Sequence, residues 1–414
     1  MSGAGQTLHQ AVRRNLAYIA ATQAFLTIIV QTFVVHVPIT ISLLGGSAAL
    51  AGLGSALMWG GRILTTYQMG RLMDRVGRMP VIYSGMVIAG LSAAAAAFFY
   101  QQRLMEAFLT VIVLFGVGRG MADYGRMAAG DMLPPEKRGL GTGVILTGSM
   151  VGTLAVPPII AAVKMLAGGE NIAATYLTLI PFAAAGFAAA YAVKPDPLQI
   201  ARTLRHNNPS EAHQQAIRKI SEILNRRMVF AIVSAAVSTG VMVAYMSLGS
   251  LLLHLEHVET TVISAVVTLH VIGMYAFSIP LGKAADIVGR VPVTLVGVIV
   301  CSTGAYIMSV NKSLDIVTVG MFLVGVGWSA ATVASIALIS DETHAAERGK
   351  AMGLNDTATA LTSLTTPILL SIIFQNYGDT ALGLAGLAAA TPTIILATTT
   401  RRKKGLDSSR HSTS

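Results

Sequence analysis

Apolar residues run along this chain in long stretches, without the regular polar interruptions of a half-buried element. Twelve such runs stand at 16–37, 46–69, 79–100, 105–130, 139–163, 172–193, 228–253, 259–281, 291–310, 314–339, 349–374 and 379–398. Each is near the ~20 apolar residues that a helix needs to cross a bilayer. Strands of a membrane barrel are about half as long, and only helices or closed barrels satisfy their backbone in lipid. The pattern predicts an all-α membrane protein with twelve transmembrane helices.

Composition agrees. Of 414 residues, 53% are hydrophobic and 12% charged, where soluble domains carry about 25% charged residues. The net charge of +10 raises the question of nucleic acid, but its placement answers against it. With both termini cytoplasmic, 23 of the 29 Lys and Arg fall on the cytoplasmic side. Arg103, Lys164 and Lys312 fall outside, and Arg62, Arg119 and Arg126 within spans. That bias is the positive-inside rule, so basic charge here sets orientation and no nucleic-acid partner is expected. Arg13-Arg14 precedes the first run, which is too long for a signal peptide and has no small-x-small cleavage site, so it reads as a retained helix. Cys301 is the single cysteine, which excludes an internal disulfide and a cysteine metal cage.

The chain repeats itself. Gly70-Arg71-Leu72-Met73-Asp74-Arg75-Val76-Gly77-Arg78 returns 212 positions later as Gly282-Lys283-Ala284-Ala285-Asp286-Ile287-Val288-Gly289-Arg290. The turn from Asp131 to Arg138-Gly139 returns as Asp341 to Arg348-Gly349, 210 positions on. Two landmarks at nearly one offset imply a duplication into parallel six-helix halves, 1–193 and 228–398. Between them lies a polar, basic linker, 194–227, opening with Pro195-Asp196-Pro197. Ser210 as cap, with Ile217, Ile220 and Leu224 on one face, predicts an amphipathic interfacial helix there. Residues 399–414 form a basic cytoplasmic tail.

The pattern G-x-x-x-D-x-x-G-R resembles the signature loop of the major facilitator superfamily. The resemblance spans the hydrophobic chain and implies a secondary transporter that rocks its halves by alternating access. Chemistry on a substrate is not expected, and neither a catalytic residue nor a cofactor is assigned. The resemblance also implies that Asp74, Arg78, Asp131 and Arg138, with Asp286, Arg290, Asp341 and Arg348 in the second half, form gates. The first set is expected to tie the second, fourth and eleventh helices at the cytoplasmic side. Gly139, Gly148 and Gly152 have the spacing of the drug-antiporter signature, but Thr153, Val156 and Pro157 depart from it.

Arg119, Asp123 and Arg126 lie at i, i+4 and i+7 of the fourth run and so share a helical face. Charges inside a span face the interior or a watery cavity. Two readings stand: proton coupling, which the resemblance implies for Arg119, and an intrahelical network that stabilises one conformation. Arg62 is a further intramembrane charge whose partner the sequence does not name.

Met242 and Met246 on the seventh run, and His270 and Met274 on the eighth, are i, i+4 pairs. At 1.5 Å per residue, Met242 and His270 both reach mid-membrane. Thioethers and imidazole suit Cu(I). Methionine is also an ordinary filler of cores, and Met69 with Met73 forms a similar pair. The pairing of M-x-x-x-M with H-x-x-x-M resembles the CcoA-like copper transporters, which implies copper import. The same subfamily includes riboflavin importers. Its members also use membrane-proximal cysteines, which this chain lacks beyond Cys301. His254 and His257 stand in an outer loop, either solvated or collecting a cation.

The expectation is a transporter of the cell membrane in contact with lipid, sufficient as a monomer, carrying a small solute or metal ion. Copper is the first substrate; a riboflavin-like or drug-like organic solute, with proton coupling, is the alternative. A sensor or scaffold on the same fold is a third class. No Walker loop supplies ATP as the energy source.

Overall fold

The computed structural model describes residues 3–134, 138–206, 224–344 and 347–400. The first half comprises α1 (Gly3–Leu43), α2 (Ala48–Val76), α3 (Arg78–Gln101), α4 (Met105–Ala122), α5 (Gly125–Asp131), α6 (Arg138–Leu166) and α7 (Ile172–Tyr191). A short helix, α8 (Pro197–His206), follows. The second half comprises α9 (Arg226–Leu255), α10 (Thr260–Ala276), α11 (Ser278–Val288), α12 (Arg290–Val310), α13 (Leu314–Asp341), α14 (Arg348–Ala388) and α15 (Thr391–Thr399).

Among the described residues nine helices are long and apolar enough to cross a membrane, or ten when α10 and α11, bent by 40°, form one span. The stretch from Arg348 to Thr398 counts once there but reverses direction at Gly378, whose φ is +77°. Thr362 donates to the Ala236 carbonyl on the way out. After the turn, Ala390 packs with Val237, and Leu396 and Ala397 with the cluster of Phe230. Dividing this stretch and adding α2 gives the twelve crossings that the hydrophobic runs predict.

The duplication is visible in the backbone. Gly77 and Gly289 close the two signature loops with φ of +105° and +111°, a region that glycine enters without a Cβ penalty. We call this end of the bundle the loop end, and its opposite the far end. Small residues set the helix spacing, as is usual where lipid supplies no hydrophobic drive between helices. A Cβ on Gly148 or Gly152 falls 2.3 and 2.2 Å from the Ala20 and Ala24 carbonyl oxygens, so α6 lies directly against α1. The antiporter-like glycines of α6 thus have a packing role.

The fourth run crosses as one stretch, Met105–Asp131, with a turn at Asp123 and Tyr124 between α4 and α5. The linker contains α8, while the expected helix from Ser210 through Ile217 and Ile220 lies outside the described residues. Leu224 stands just before α9, outside any helix. The tail beyond residue 400 also lies outside them.

Candidate functional site

The mid-bundle cavity is built by close approach of α2 and α4. A Cβ on Gly116 falls 2.2 Å from the Met58 carbonyl oxygen, and one on Gly120 falls 3.2 Å from Arg62 Cα. That contact brings Met58, Trp59 and Arg62 of α2 beside Arg119 and Asp123. The Arg62 guanidinium pairs with Asp123 at 2.9 Å, which supplies the partner that the sequence left open. Gln23 Nε2 donates to the other Asp123 oxygen at 3.4 Å. Asp123 thus also bridges from the end of α4 to α2 and α1. Arg126 belongs to α5, and its side chain is exposed.

Trp59 is flanked by two cations, with the Arg62 and Arg119 guanidinium carbons 4.9 and 5.2 Å from its ring centroid. Such stacking steadies both guanidinium planes. Arg119 makes no ion pair among the described residues; it donates to Met58 Sδ at 3.2 Å. Asp123 thus pairs directly with Arg62, and Arg119 lines the cavity with no carboxylate in direct contact among the described residues.

The cavity has a volume of about 80 Å³. Met58, Trp59 and Arg119 line it from the first half, and Met242, Met246, Met274 and Tyr275 from the second. Tyr275 meets Trp328 edge-on at 6.3 Å, and Trp328 Nε1 donates to Thr239 Oγ1 at 3.0 Å. Three of the four expected copper ligands therefore share one wall. The fourth, His270, is not part of that wall. It is fully buried against α13, where Nδ1 donates to the Met321 carbonyl at 2.7 Å. Its Nε2 has no hydrogen-bond partner among the described residues.

His254 ends α9, half-buried, and His257 is exposed in the following loop. Among the described residues no three His, Cys, Asp or Glu side chains gather as metal ligands. Trp59, Met58 and Tyr275 were not anticipated. The signal was available: the chain has only two tryptophans, and Trp59 sits three residues before an intramembrane arginine.

At the loop end, Arg78 reaches two carboxylates, Asp131 through Nε at 2.8 Å and Asp74 through Nη1 at 2.7 Å. Arg290 repeats the clasp in the second half, with Nε at 3.2 Å from Asp341 and Nη1 on Asp286. Each clasp joins helices of one half; the first ties α2, α3 and α5, rather than reaching the eleventh crossing as the resemblance implied. Arg348 joins neither clasp and donates to the Ser340 carbonyl at 3.5 Å. The Arg138 side chain lies outside the described residues.

The first clasp has a brace. Asp196, at the start of α8, accepts from the backbone N–H of Arg78 at 3.1 Å and of Met79 at 2.9 Å, capping α3. A Cβ on Gly77 falls 2.8 Å from Asp196 Oδ2, so this approach also requires glycine.

At the far end the halves are joined. Lys164 pairs with Glu259 at 2.8 Å, Glu170 accepts from Thr260, and Ala49 donates to Gln375. Nearby, Lys312 bridges Glu256 and Asp379 at 3.1 and 3.2 Å, and these carboxylates hold its ammonium above the ordinary lysine range.

Comparison with known proteins agrees with this architecture. The sequence profile described as Major Facilitator Superfamily matches residues 18–260 and 253–412. The MFS-type transporter YdeG of Bacillus subtilis is 25% identical over 356 residues, covering 82% of this chain and 81% of that protein. The riboflavin transporter RfnT of Brucella anthropi is 21% identical over 356 residues, covering 84% and 85%. Among solved structures, a POT family transporter in complex with a thioalcohol-conjugated peptide superposes with a TM-score of 0.71 at 10% identity, covering 93% of this chain and 96% of its own. The nucleoside transporter NupG gives 0.66 at 14% identity, covering 93% and 98%. With two homologous six-helix halves, paired signature loops and a central cavity, the chain belongs to the major facilitator superfamily and is a multi-pass membrane transporter of a small solute.

Proposed function

We propose that the protein carries a planar organic solute, with hydrogen-bond acceptors or negative charge on its edge, through the central cavity by alternating access. The carrying observation is Arg119: a guanidinium without a carboxylate partner, stacked on Trp59 in a cavity that Tyr275 lines opposite. Arg presents a fork of donors suited to carboxylate, phosphate or paired carbonyl oxygens, and the two rings suit a flat heterocycle. At about 80 Å³ the cavity is smaller than ligand-filled small-molecule pockets of about 300–1,000 Å³, so the halves have to part to admit a heterocycle. Two similar proteins, RfnT and NupG, bear the names of riboflavin and nucleoside transporters, which fits a heterocyclic solute.

The topology we infer places the loop end and both termini in the cytoplasm, in the cell membrane, with one chain sufficient. The joined far end then represents an outward-closed state. The clasps of Arg78 and Arg290 act as gate elements, setting rate rather than affinity.

Copper is the second reading, and one observation favours it. His270 donates from Nδ1 to a backbone carbonyl and leaves Nε2 free, the arrangement that a metal-ligating histidine adopts. Met242, Met246 and Met274 line the cavity nearby. Arg119 weighs against it: it lines the same cavity as Met242, Met246 and Met274, and a fixed cation there repels a metal cation. Uptake of labelled riboflavin, uridine and copper, measured side by side in cells expressing the protein, separates the readings. Saturable uptake of either heterocycle supports the first; copper accumulation alone supports the second.

A further inference from the structure

The first turns of α2 and α10 are not capped by their own flanking residues. Ser47 and Glu259 occupy the N-cap positions, and neither side chain accepts a hydrogen bond from its helix. A helix start leaves backbone N–H groups without intrahelical partners, and a side-chain oxygen nearby ordinarily satisfies some of them. Here that oxygen comes from the opposite half. Glu170, between α6 and α7, accepts through Oε1 from the Thr260 N–H at 2.9 Å and from its hydroxyl at 3.1 Å. Gln375, near the far end of α14, accepts through Oε1 from the Ala49 N–H at 2.8 Å.

The arrangement is reciprocal. Ala49 and Thr260 stand 211 positions apart, one repeat length, at the start of the second crossing of each half. Glu170 and Gln375 follow the fifth crossing of each half. Thus the turn after the fifth crossing of either half caps the second crossing of the other. Thr260 is only 5% exposed, so its two donors depend on Glu170 rather than on water. The Lys164–Glu259 pair, also between halves, adjoins this cap.

We propose that Glu170 and Gln375 are gate residues, and that their reciprocal caps hold the far end shut. Rocking the halves apart at that end separates each acceptor from its helix start, so both caps contribute only to the closed state. A contact made in one state alone shifts the equilibrium by its full worth.

The test needs no substrate. A Val34→Cys reporter on the cavity wall is labelled with a charged, membrane-impermeant thiol reagent, from outside in intact cells and from the other face in inverted vesicles. The native Cys301 is buried and stays in place. Glu170→Ala and Gln375→Ala should each raise the labelling rate from one face by roughly threefold to tenfold, the effect of losing one or two hydrogen bonds, and lower it from the other. Glu170→Gln keeps an accepting oxygen, as Gln375 does natively, and should return labelling toward the parent rate. Gln375 is exposed, so its alanine variant carries the test even if Glu170→Ala folds poorly. Unchanged labelling from both faces in folded Gln375→Ala protein overturns the proposal, as does unchanged labelling in folded Glu170→Ala or a rise in Glu170→Gln equal to that in Glu170→Ala.

Discussion

Arg62 and Asp123 form an ion pair 2.9 Å long that fastens α2 to the end of α4. Arg119, one turn before Asp123, makes no direct ion pair among the described residues and lines the cavity. Replacing Asp123 by Asn should lower stability by ~1–3 kcal/mol, between the worth of an exposed pair and that of a fully buried one. Arg62→Met, Asp123→Asn together should lose less than the sum of the single changes, read as thermal midpoints in detergent. Because the pair is structural in this account, the pH profile of uptake in folded Asp123→Asn should follow that of the parent. A displaced profile would assign Asp123 a coupling proton instead.

The two loop-end clasps should differ in weight. Arg78 pairs with Asp131, whose side chain is 24% exposed, whereas Asp341 opposite Arg290 is 53% exposed. Exposed pairs contribute little, commonly under ~1 kcal/mol. Arg78→Ala should therefore reduce the maximal transport rate more than Arg290→Ala, and both should leave KM nearly unchanged, as expected for residues remote from the solute. A larger effect on KM than on rate in either variant contradicts a gating role.

Gly77 and Gly289 offer a matched comparison. Their φ values are nearly equal, so alanine meets similar backbone strain at both, of order 1–3 kcal/mol. At Gly77 the new Cβ also meets Asp196 Oδ2 at 2.8 Å, while at Gly289 its nearest neighbour is Pro292 Cδ at 3.5 Å. Gly77→Ala should be the more destabilising, and Asp196→Ala should narrow the difference. Equal thermal midpoints for the two glycine variants would remove the brace from the account.

The limits of sequence reading are physical. Long apolar runs identify crossings because lipid tolerates little else, and a duplicated loop identifies halves because its glycines need the same positive φ. Helical spacing places His270 and Met274 on one side of their own helix. It does not say that the His270 ring meets Met321 of α13 while Met274 reaches the cavity. Nor does it show the turn at Asp123, or that the Asp123 carboxylate reaches Arg62 of α2. Trp59 was legible as a rare aromatic beside a buried charge, but its stacking between two guanidiniums needs the approach of α2 to α4 at Gly116 and Gly120.

Copper and heterocycle readings divide on His270. In the proposed account its ring packs α10 against α13, so His270→Ala should lower the thermal midpoint, with a cost of ~2–4 kcal/mol for a buried side chain and a lost hydrogen bond. Heterocycle uptake per folded molecule should persist. Copper uptake that is present in the parent and lost in folded His270→Ala would reverse the order of the two readings.

The most direct test of solute recognition is the concentration dependence of labelled riboflavin uptake in the parent, Arg119→Lys and Arg119→Met proteins, each normalised to folded protein at the membrane. If Arg119 holds the polar edge of a planar solute, Arg119→Met should weaken apparent affinity by roughly tenfold or more, the worth of a charge-assisted hydrogen bond. Arg119→Lys should fall between, because it keeps the charge without the planar fork. Saturable riboflavin uptake that is indifferent to both substitutions would contradict the account, as would copper accumulation with no uptake of either heterocycle.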